Sequence, residues 1–187
     1  MASSYSSTYM VVVALILAVV CTDPIVASDP KEVARICSRS LEPEACKECV
    51  FSDPSRGIDD IPQLIYTAVF CMYTQMVYAH DHADGLAQNT TSGLPGHRTA
   101  LQVCSKVLFG ASNTLGDALT MVEDAKYYDA YSNVKRSRWA LISCDNAFGK
   151  FAKDVVVPNP LVDDMTLTKR LFDVVHYFFS LIIKINP

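Results

Sequence analysis

Cysteine is the residue type in this 187-residue sequence whose spacing points most directly to chemistry, and that chemistry is disulfide formation. Cys37 and Cys46 have eight residues between them, and Cys104 and Cys144 have thirty-nine. One disulfide that closes a short loop and one that closes a long loop are typical of a small secreted helical protein. No histidine accompanies these cysteines at the spacing of a zinc site. The pattern therefore favours two disulfides, Cys37–Cys46 and Cys104–Cys144, and predicts no metal site.

Two further cysteines, Cys49 and Cys71, leave two alternatives open. They bond each other, or they stay as free thiols, with Cys71 buried beside the apolar stripe of its helix. Cys46 and Cys49 form a Cys-x-x-Cys pair, but no βαβ pattern surrounds it. We therefore interpret this pair as one disulfide cysteine beside an extra thiol, and not as a redox motif.

Catalytic patterns are missing from the sequence. His80 and His82 are two residues apart, so on a helix they point to different faces and cannot share a metal ion. No HExxH pair, GxSxG elbow or glycine-rich phosphate loop occurs. The acidic pairs at 59–60, 123–124 and 163–164 lie next to expected helix ends, so we interpret them as capping residues and not as catalytic carboxylates. We predict no catalytic residue, no cofactor and a protein that is not an enzyme.

The first 28 residues have the composition of a signal peptide. Residues 10–20 form an apolar run that is too short to span a membrane, and small residues follow at 26–28. A membrane anchor is the alternative, but Asp23 and Pro24 interrupt the run. We predict a signal peptide over 1–28 and one mature domain over 29–187. That domain is expected to be free of the membrane and secreted to the apoplast, with the vacuole as the alternative destination.

The mature domain is weakly acidic, which excludes one class of partner. It carries 16 basic side chains and 19 of the 20 acidic ones, because Asp23 is the one charged residue of the leader, so its net charge is −3. A chain without a basic stripe is not expected to bind nucleic acid. Asn89-Thr90-Thr91 is its one N-glycosylation sequon, beside Ser, Gly and Pro residues typical of an exposed loop. Asn89 is therefore a candidate glycosylation site.

Hydrophobic periodicity predicts an all-α fold, in which a short helical hairpin at 29–58 precedes four long amphipathic helices. Those helices are expected at about 60–86, 101–122, 128–148 and 161–185. A loop at 89–96 and an extended, proline-containing crossover at 155–160 separate them. Helices joined in this way form an antiparallel four-helix bundle. The core positions expected on the third and fourth helices are Tyr131, Val134, Trp139, Ile142, Phe148, Leu167, Leu171, Val174, Val175, Phe178, Leu181, Ile182 and Ile185.

The ordered cysteines and the residues around them resemble the plant invertase and pectin methylesterase inhibitor family over most of the mature chain. The matching features are Ile36-Cys37, Cys46 with Ser52-Asp53-Pro54 behind it, Ala100-Leu101-x-x-Cys104, the segment 124–130, and Cys144-Asp145 with Phe148. Within the family the chain is most similar to the pollen-allergen-like branch, whose members are commonly labelled invertase inhibitors. The resemblance implies an N-terminal hairpin on a four-helix bundle, with the same two pairs, Cys37–Cys46 and Cys104–Cys144.

The resemblance also implies an activity, which is one-to-one, non-covalent occlusion of a pectin methylesterase or of a cell-wall or vacuolar acid invertase. Family members that block invertase carry Pro-Lys-Phe in the loop before the third long helix, where this chain has Ala125-Lys126-Tyr127. Lys126 and Tyr127 are therefore candidate contacts with an acidic glycosidase cleft, and a solvated loop lysine is the alternative. A pectin methylesterase would instead contact the outer faces of the second and third helices. The alternative function is a non-inhibitory secreted helical bundle that binds or signals.

Overall fold

The computed structural model describes residues 30–52, 60–90, 96–150 and 159–185, and within these ranges it contains helices and no strand. The helices are α1 Pro30–Cys37, α2 Pro43–Phe51, α3 Ile61–Asn89, α4 His97–Glu123, α5 Tyr127–Ser137, α6 Trp139–Lys150 and α7 Val162–Ser180. The four long predicted helices correspond to α3, α4, α5 with α6, and α7, which pack as a bundle behind the α1–α2 hairpin. The all-α prediction is confirmed. The predicted signal peptide, most of the 89–96 loop and the crossover before residue 159 lie outside the described residues.

The first bundle helix begins where its sequence predicts. The Asp60 carboxylate accepts a hydrogen bond from the backbone N–H of Gln63 at 2.8 Å, and Pro62 occupies the first turn, where its missing N–H costs nothing. The apolar stripe faces the other helices, because Ile65, Met72 and other residues at the same spacing are fully buried. The 29-residue α3 and the 27-residue α4 are the longest helices of the described residues, and they pack against each other.

The third bundle helix differs from the prediction because it is interrupted at Arg138. The N–H of Leu141 bonds to the carbonyl of Arg138, three residues back, at 3.2 Å. Trp139 and Ile142 were expected in the core, but they are 66% and 43% exposed, so that prediction is wrong. The reason is the register, since the buried stripe runs through Tyr131, Val134, Ser137, Leu141, Cys144 and Phe148 and leaves positions 139 and 142 outside it.

The last helix is shorter than predicted at its C-terminal end. It ends at Ser180, after which the N–H of Ile182 bonds to the carbonyl of Phe179 at 3.1 Å in a tighter turn. Leu181 and Ile182 were expected in the core, but they are 44% and 38% exposed. At the other end, the Asn159 side chain accepts the N–H of Leu161 at 2.9 Å and precedes the helix.

Three disulfides join the elements. Cys37–Cys46 closes the α1–α2 hairpin and Cys104–Cys144 joins α4 to α6, so both predicted bonds are confirmed. Cys49–Cys71 is the third, and it joins the hairpin to α3. Of the two alternatives for these cysteines, the structure shows that they bond each other. The interpretation of Cys49 as an extra thiol is therefore wrong.

A salt bridge also attaches the hairpin to the bundle. The Arg170 guanidinium of α7 donates to the Glu42 carboxylate at 2.8 Å, with both side chains about one-third exposed. The hairpin is therefore held to α3 covalently and to α7 by charge. Among the helices described, none combines the length and the apolarity that a membrane crossing requires.

Candidate functional site

The candidate contacts Lys126 and Tyr127 lie in the turn between α4 and α5, at one end of the bundle. The N–H of Ala125 bonds to the carbonyl of Val122 at 3.0 Å, and the N–H of Lys126 bonds to the carbonyl of Met121 at 2.8 Å. This pair of bonds is a Schellman motif, which satisfies the last carbonyls of α4. The turn therefore has a fixed backbone that presents the Lys126 side chain to solvent.

Lys126 is an exposed cation with a carboxylate partner in the same turn. Its Nζ lies 2.8 Å from an oxygen of Asp124, and the two side chains are 58% and 51% exposed. The hydrogen bond to Asp124 raises the pKa of Lys126, and the Coulombic attraction of the same carboxylate adds to that effect. Lys126 is charged at neutral pH, but part of its field is cancelled by its neighbour.

Tyr127 is half-buried between two clefts on either side of the turn. One cleft, of about 330 Å³, is also lined by Tyr66 and by the start of α3 at Asp60 and Pro62. The other, of about 400 Å³, is also lined by Tyr128 and Ile182, and Tyr128 is 66% exposed. This end of the bundle therefore presents aromatic, apolar and acidic groups around one lysine, which suits contact with another protein.

A second region, which was not predicted from the sequence, lies where α5 and α6 face α7, and it combines charged side chains with a larger apolar surface. We call it the α5–α7 groove, and its defining residues are Tyr131, Lys135, Arg138, Trp139, Phe172, Asp173 and His176. Its volume is about 730 Å³, and Leu41 and Ile185 lie at its edges. Lys135, Arg138 and Trp139 share one helix face because they are three and four residues apart. That spacing was a usable signal, but the assignment of Trp139 to the core concealed it.

Aromatic rings and charged groups alternate along the groove. The Lys135 Nζ is 5.0 Å from the centre of the Tyr131 ring, and the Arg138 guanidinium is 4.8 Å from that of Phe172, which are cation–π distances. The Tyr131 hydroxyl and the Nδ1 of His176 are 2.5 Å apart. Burial raises the pKa of Tyr131, so the phenol is neutral near pH 7.

The carboxyl group of Asp173 lies on the α7 wall of the groove. Burial raises its pKa, the positive charge of Arg138 opposes that effect, and the negative charge of Glu42 adds to it. Two cations, Lys135 on α5 and Arg138 between α5 and α6, therefore share the groove with one carboxyl group on α7, and the positive charges outnumber the negative one.

Comparison with known proteins identifies the family. A model of the plant invertase/pectin methylesterase inhibitor family matches residues 31–176. The chain belongs to this family. Its fold is similar to the crystal structure of a mutant form of a pectin methylesterase inhibitor from Arabidopsis, with a TM-score of 0.61 and 14% identity over 83% of this chain and 99% of that one. A search of curated proteins finds no match.

The family resemblance allows the α4–α5 turn to be compared with the Pro-Lys-Phe turn of invertase-blocking members, in which proline takes the position of Ala125. The φ angle of Ala125 is +57°, in the left-handed region, and its N–H is bonded to Val122. Proline is fixed near φ −65° and has no N–H, so it cannot adopt this turn. The turn of this inhibitor-family protein therefore differs in backbone geometry from one that contains Pro-Lys-Phe, and not only in one side chain.

The histidines of α3 do not form a catalytic or metal-binding cluster, and no such group of ligands occurs among the described residues. Each of them contacts a neighbouring helix. His80 Nδ1 is 3.0 Å from the carbonyl oxygen of Ser105 on α4, and His82 Nδ1 is 2.7 Å from the Asp164 carboxylate on α7. These contacts join α3 to α4 and to α7.

Asn89, the candidate glycosylation site, is the last residue of α3 and its side chain is exposed. Its Nδ2 donates to the carbonyl of Gly85 at 2.9 Å. Thr91, which completes the sequon, lies outside the described residues. Glycosylation of Asn89 stays a prediction, and the exposure of its side chain is compatible with it.

Proposed function

We propose that this protein is a secreted inhibitor that binds one plant pectin methylesterase molecule non-covalently and occludes its active site. The observation that carries the proposal is the family match over residues 31–176. Secretion to the apoplast is part of the proposal, because the leader at 1–28 has signal-peptide composition and three disulfides need an oxidising compartment.

Rigidity supports an inhibitory role. Bonds at 37–46 and 49–71 close the hairpin and join it to α3, the bond at 104–144 joins α4 to α6, and α3 and α4 pack against each other. A rigid binding surface loses little conformational entropy when it docks, so more of the contact energy appears as affinity. The protein needs no chemistry of its own for this task, because an occluded active site cannot admit substrate.

The α4–α5 turn favours pectin methylesterase over invertase as the target. The left-handed Ala125 excludes the proline geometry of Pro-Lys-Phe, and the Lys126 charge is partly neutralised by Asp124. Acid invertase is the second candidate, because Lys126 is exposed and Tyr127 and Tyr128 supply aromatic surface beside it. A lysine in this position could enter an acidic glycosidase cleft.

The test is a titration of two enzymes with one inhibitor. Residues 29–187, produced with disulfides formed, are added to a plant pectin methylesterase and to a plant acid invertase, and residual activity is measured. We expect loss of the esterase activity in proportion to a one-to-one complex. Full activity of both enzymes with the inhibitor at about 100 μM, far above the Kd of specific complexes, would contradict the proposal and favour a non-inhibitory binding protein.

Lys126→Ala separates the two targets. If pectin methylesterase is inhibited through the helix faces, the variant inhibits it as the wild type does. If invertase is the target and Lys126 enters its cleft, the variant inhibits about tenfold less, the effect of losing one charge-assisted contact. Lys47→Ala is the matched control, because Lys47 lies on α2 of the hairpin, away from the turn and from the second and third bundle helices, and also pairs with a nearby carboxylate, that of Glu44, at 2.9 Å. It should change neither inhibition curve.

A further inference from the structure

The α5–α7 groove has the volume of a small-molecule site. Its volume of about 730 Å³ falls within the range of roughly 300–1,000 Å³ that is common for ligand pockets. One wall is the face of α5 and α6 that carries Tyr131, Lys135 and Trp139, and the other is α7 at Phe172 and His176. A groove of this size accommodates a few sugar rings, whereas a stable protein interface requires a much larger surface.

Trp139 provides an aromatic platform at the edge of this groove. The indole is 66% exposed although it is the largest apolar side chain in the sequence. An aromatic ring exposed beside a polar groove is a feature of binding sites, because its face can pack on an apolar surface while neighbouring groups hold the ligand's polar atoms. The C–H face of a pyranose ring is such a surface, and its hydroxyl groups point to the sides.

Two cations in the groove have no carboxylate bound to them. Lys135 and Arg138 are exposed, and their contacts are with the Tyr131 and Phe172 rings. No ion pair joins either of them to a carboxylate of the described residues, whereas Lys126 and Arg170 each have one. The aromatic rings orient these cations without neutralising them, so both can bind an anion, and an arginine can bind a carboxylate through two parallel hydrogen bonds.

Groups suited to sugar hydroxyls complete the set. The His176 ring and the Asp173 carboxyl group line the groove and are half-buried, and the Nδ1 of His176 is held 2.5 Å from the hydroxyl of the buried Tyr131. A carboxylate that accepts from hydroxyls, next to cations that bind a negative charge, matches a ligand that carries both hydroxyl and carboxylate groups. A neutral sugar would leave the two cations unused, and a simple anion would leave the indole unused.

We propose that the α5–α7 groove binds an oligosaccharide of uronic acids, with a carboxylate on Arg138 and Lys135 and a sugar ring on Trp139. The proposal concerns the free protein and does not depend on which enzyme is inhibited. It gives the protein a second partner, an acidic polysaccharide chain, which is bound by residues other than those that line the clefts of the α4–α5 turn.

Trp139 makes the test specific, because it is the one tryptophan of the chain and its fluorescence reports on the groove alone. The mature protein is titrated with trigalacturonate, and the emission of Trp139 is followed. Galactotriose, which has the same ring type without the carboxylates, is the matched ligand control. We expect a saturable change with the acidic trimer, weakened by added salt, and a much smaller one with the neutral trimer.

Arg138→Gln and Lys135→Gln remove the charges while keeping the indole reporter. Each variant should raise the Kd for trigalacturonate about tenfold, as expected for the loss of a charge-assisted hydrogen bond. Lys126→Gln, which removes a cation from the α4–α5 turn, is the matched protein control and should leave the Kd unchanged. Thermal unfolding and circular dichroism of each variant establish that a weaker response does not come from loss of the fold.

Four results would overturn the proposal. They are equal binding of galactotriose, an unchanged Kd in Arg138→Gln, equal weakening by Lys126→Gln, and the absence of both a fluorescence response and a shift of the Trp139 indole N–H signal in NMR spectra. If trigalacturonate has no effect but Arg138→Gln weakens enzyme inhibition, the groove is a protein-contact surface and the sugar proposal is wrong. Because no enzyme is present in the sugar titration, its outcome is independent of the proposed inhibition.

Discussion

The α4–α5 turn and the α5–α7 groove each present lysine or arginine beside aromatic rings, but they do so by different means. In the turn, the cation Lys126 is bound by Asp124 two residues away, and local backbone hydrogen bonds fix the geometry. In the groove, Lys135 and Arg138 lie over rings, and one of those rings, Phe172, belongs to a helix distant in sequence. The turn is a local structure with its charge partly satisfied, whereas the groove depends on tertiary packing and keeps its positive charge available.

The largest expected effect comes from removing the bond that fixes α6 against α4. Cys104→Ala with Cys144→Ala opens a loop whose ends are 40 residues apart, and we expect the free energy of unfolding to fall by about 4 kcal/mol from loop-closure entropy. Chemical unfolding measures this change. The groove depends on α6, so sugar binding should weaken in the folded fraction.

Cys49→Ala with Cys71→Ala is the matched control for the disulfide experiment. This bond spans 22 residues and should contribute about 3 kcal/mol, and it lies at the hairpin and not at α6. We expect trigalacturonate to bind this variant with an unchanged Kd. An equal loss of sugar binding in both double variants would show that global loosening, and not the position of α6, controls the groove.

The second prediction breaks the turn while leaving the groove intact. Ala125→Pro should lower the free energy of unfolding by about 3 kcal/mol, because proline cannot adopt a φ of +57° and cannot donate to Val122. Ala125→Gly is the control at the same site, and it should stabilise the protein by about 0.5 kcal/mol, since glycine adopts this φ without strain. Urea unfolding of both variants measures the two effects. A proline variant as stable as the wild type would contradict the left-handed turn.

The third prediction removes a tertiary contact of the groove. Tyr131→Phe deletes the hydroxyl that lies 2.5 Å from His176, and we expect the free energy of unfolding to decrease by about 1 kcal/mol. Tyr128→Phe, at a position that is 66% exposed in the turn, should have no measurable effect. Equal unfolding midpoints for the two variants would mean that the Tyr131–His176 contact contributes nothing to stability.

The smallest expected effect concerns the pH dependence of Asp173. Its pKa is raised in the folded state, chiefly by burial, so the folded protein binds more protons than the unfolded chain between the two pKa values. The free energy of unfolding therefore falls as pH rises through that window. Asp173→Asn removes the cost of ionising a partly buried carboxyl group. The variant should therefore be more stable than the wild type at pH 7, by up to about 0.5 kcal/mol.

At pH 3 the Asp173 carboxyl is protonated in both states, and the variant and the wild type should have the same stability. Thermal unfolding at the two pH values measures the difference. A variant that is less stable at pH 7 would contradict this reasoning, because it would show that attraction to Arg138 exceeds the cost of burial.

The turn and the bundle were accessible from sequence because local rules govern them. Asp60 and Pro62 predict the start of α3, and the three- and four-residue spacing through Ile65 and Met72 predicts its buried face. Two disulfides followed from cysteine spacing and from the family resemblance, and both are present. Lys126 lies between the end of α4 and the start of α5, and its role as a target contact stays a prediction.

The groove was not predicted, and the reason is physical. Trp139 has a large apolar side chain, so it was assigned to the core, whereas the register set by Val134, Leu141 and Cys144 places it outside. The partners of Tyr131 and Arg138, which are His176 and Phe172, are more than thirty residues away. No local pattern specifies such contacts. The same holds for the Cys49–Cys71 bond, because two unassigned cysteines carry no information about their separation in space.

The order of the three disulfides has a consequence for how the molecule is made. The six cysteines of the described residues pair consecutively along the chain, 37 with 46, 49 with 71, and 104 with 144, and none of these three bonds encloses or crosses another. Six cysteines allow fifteen pairings, and this is the one that forms if each thiol is oxidised with the first partner that follows it. A chain that emerges N-terminus first can therefore close its bonds in sequence, without passing through a wrong pairing that an isomerase must later undo.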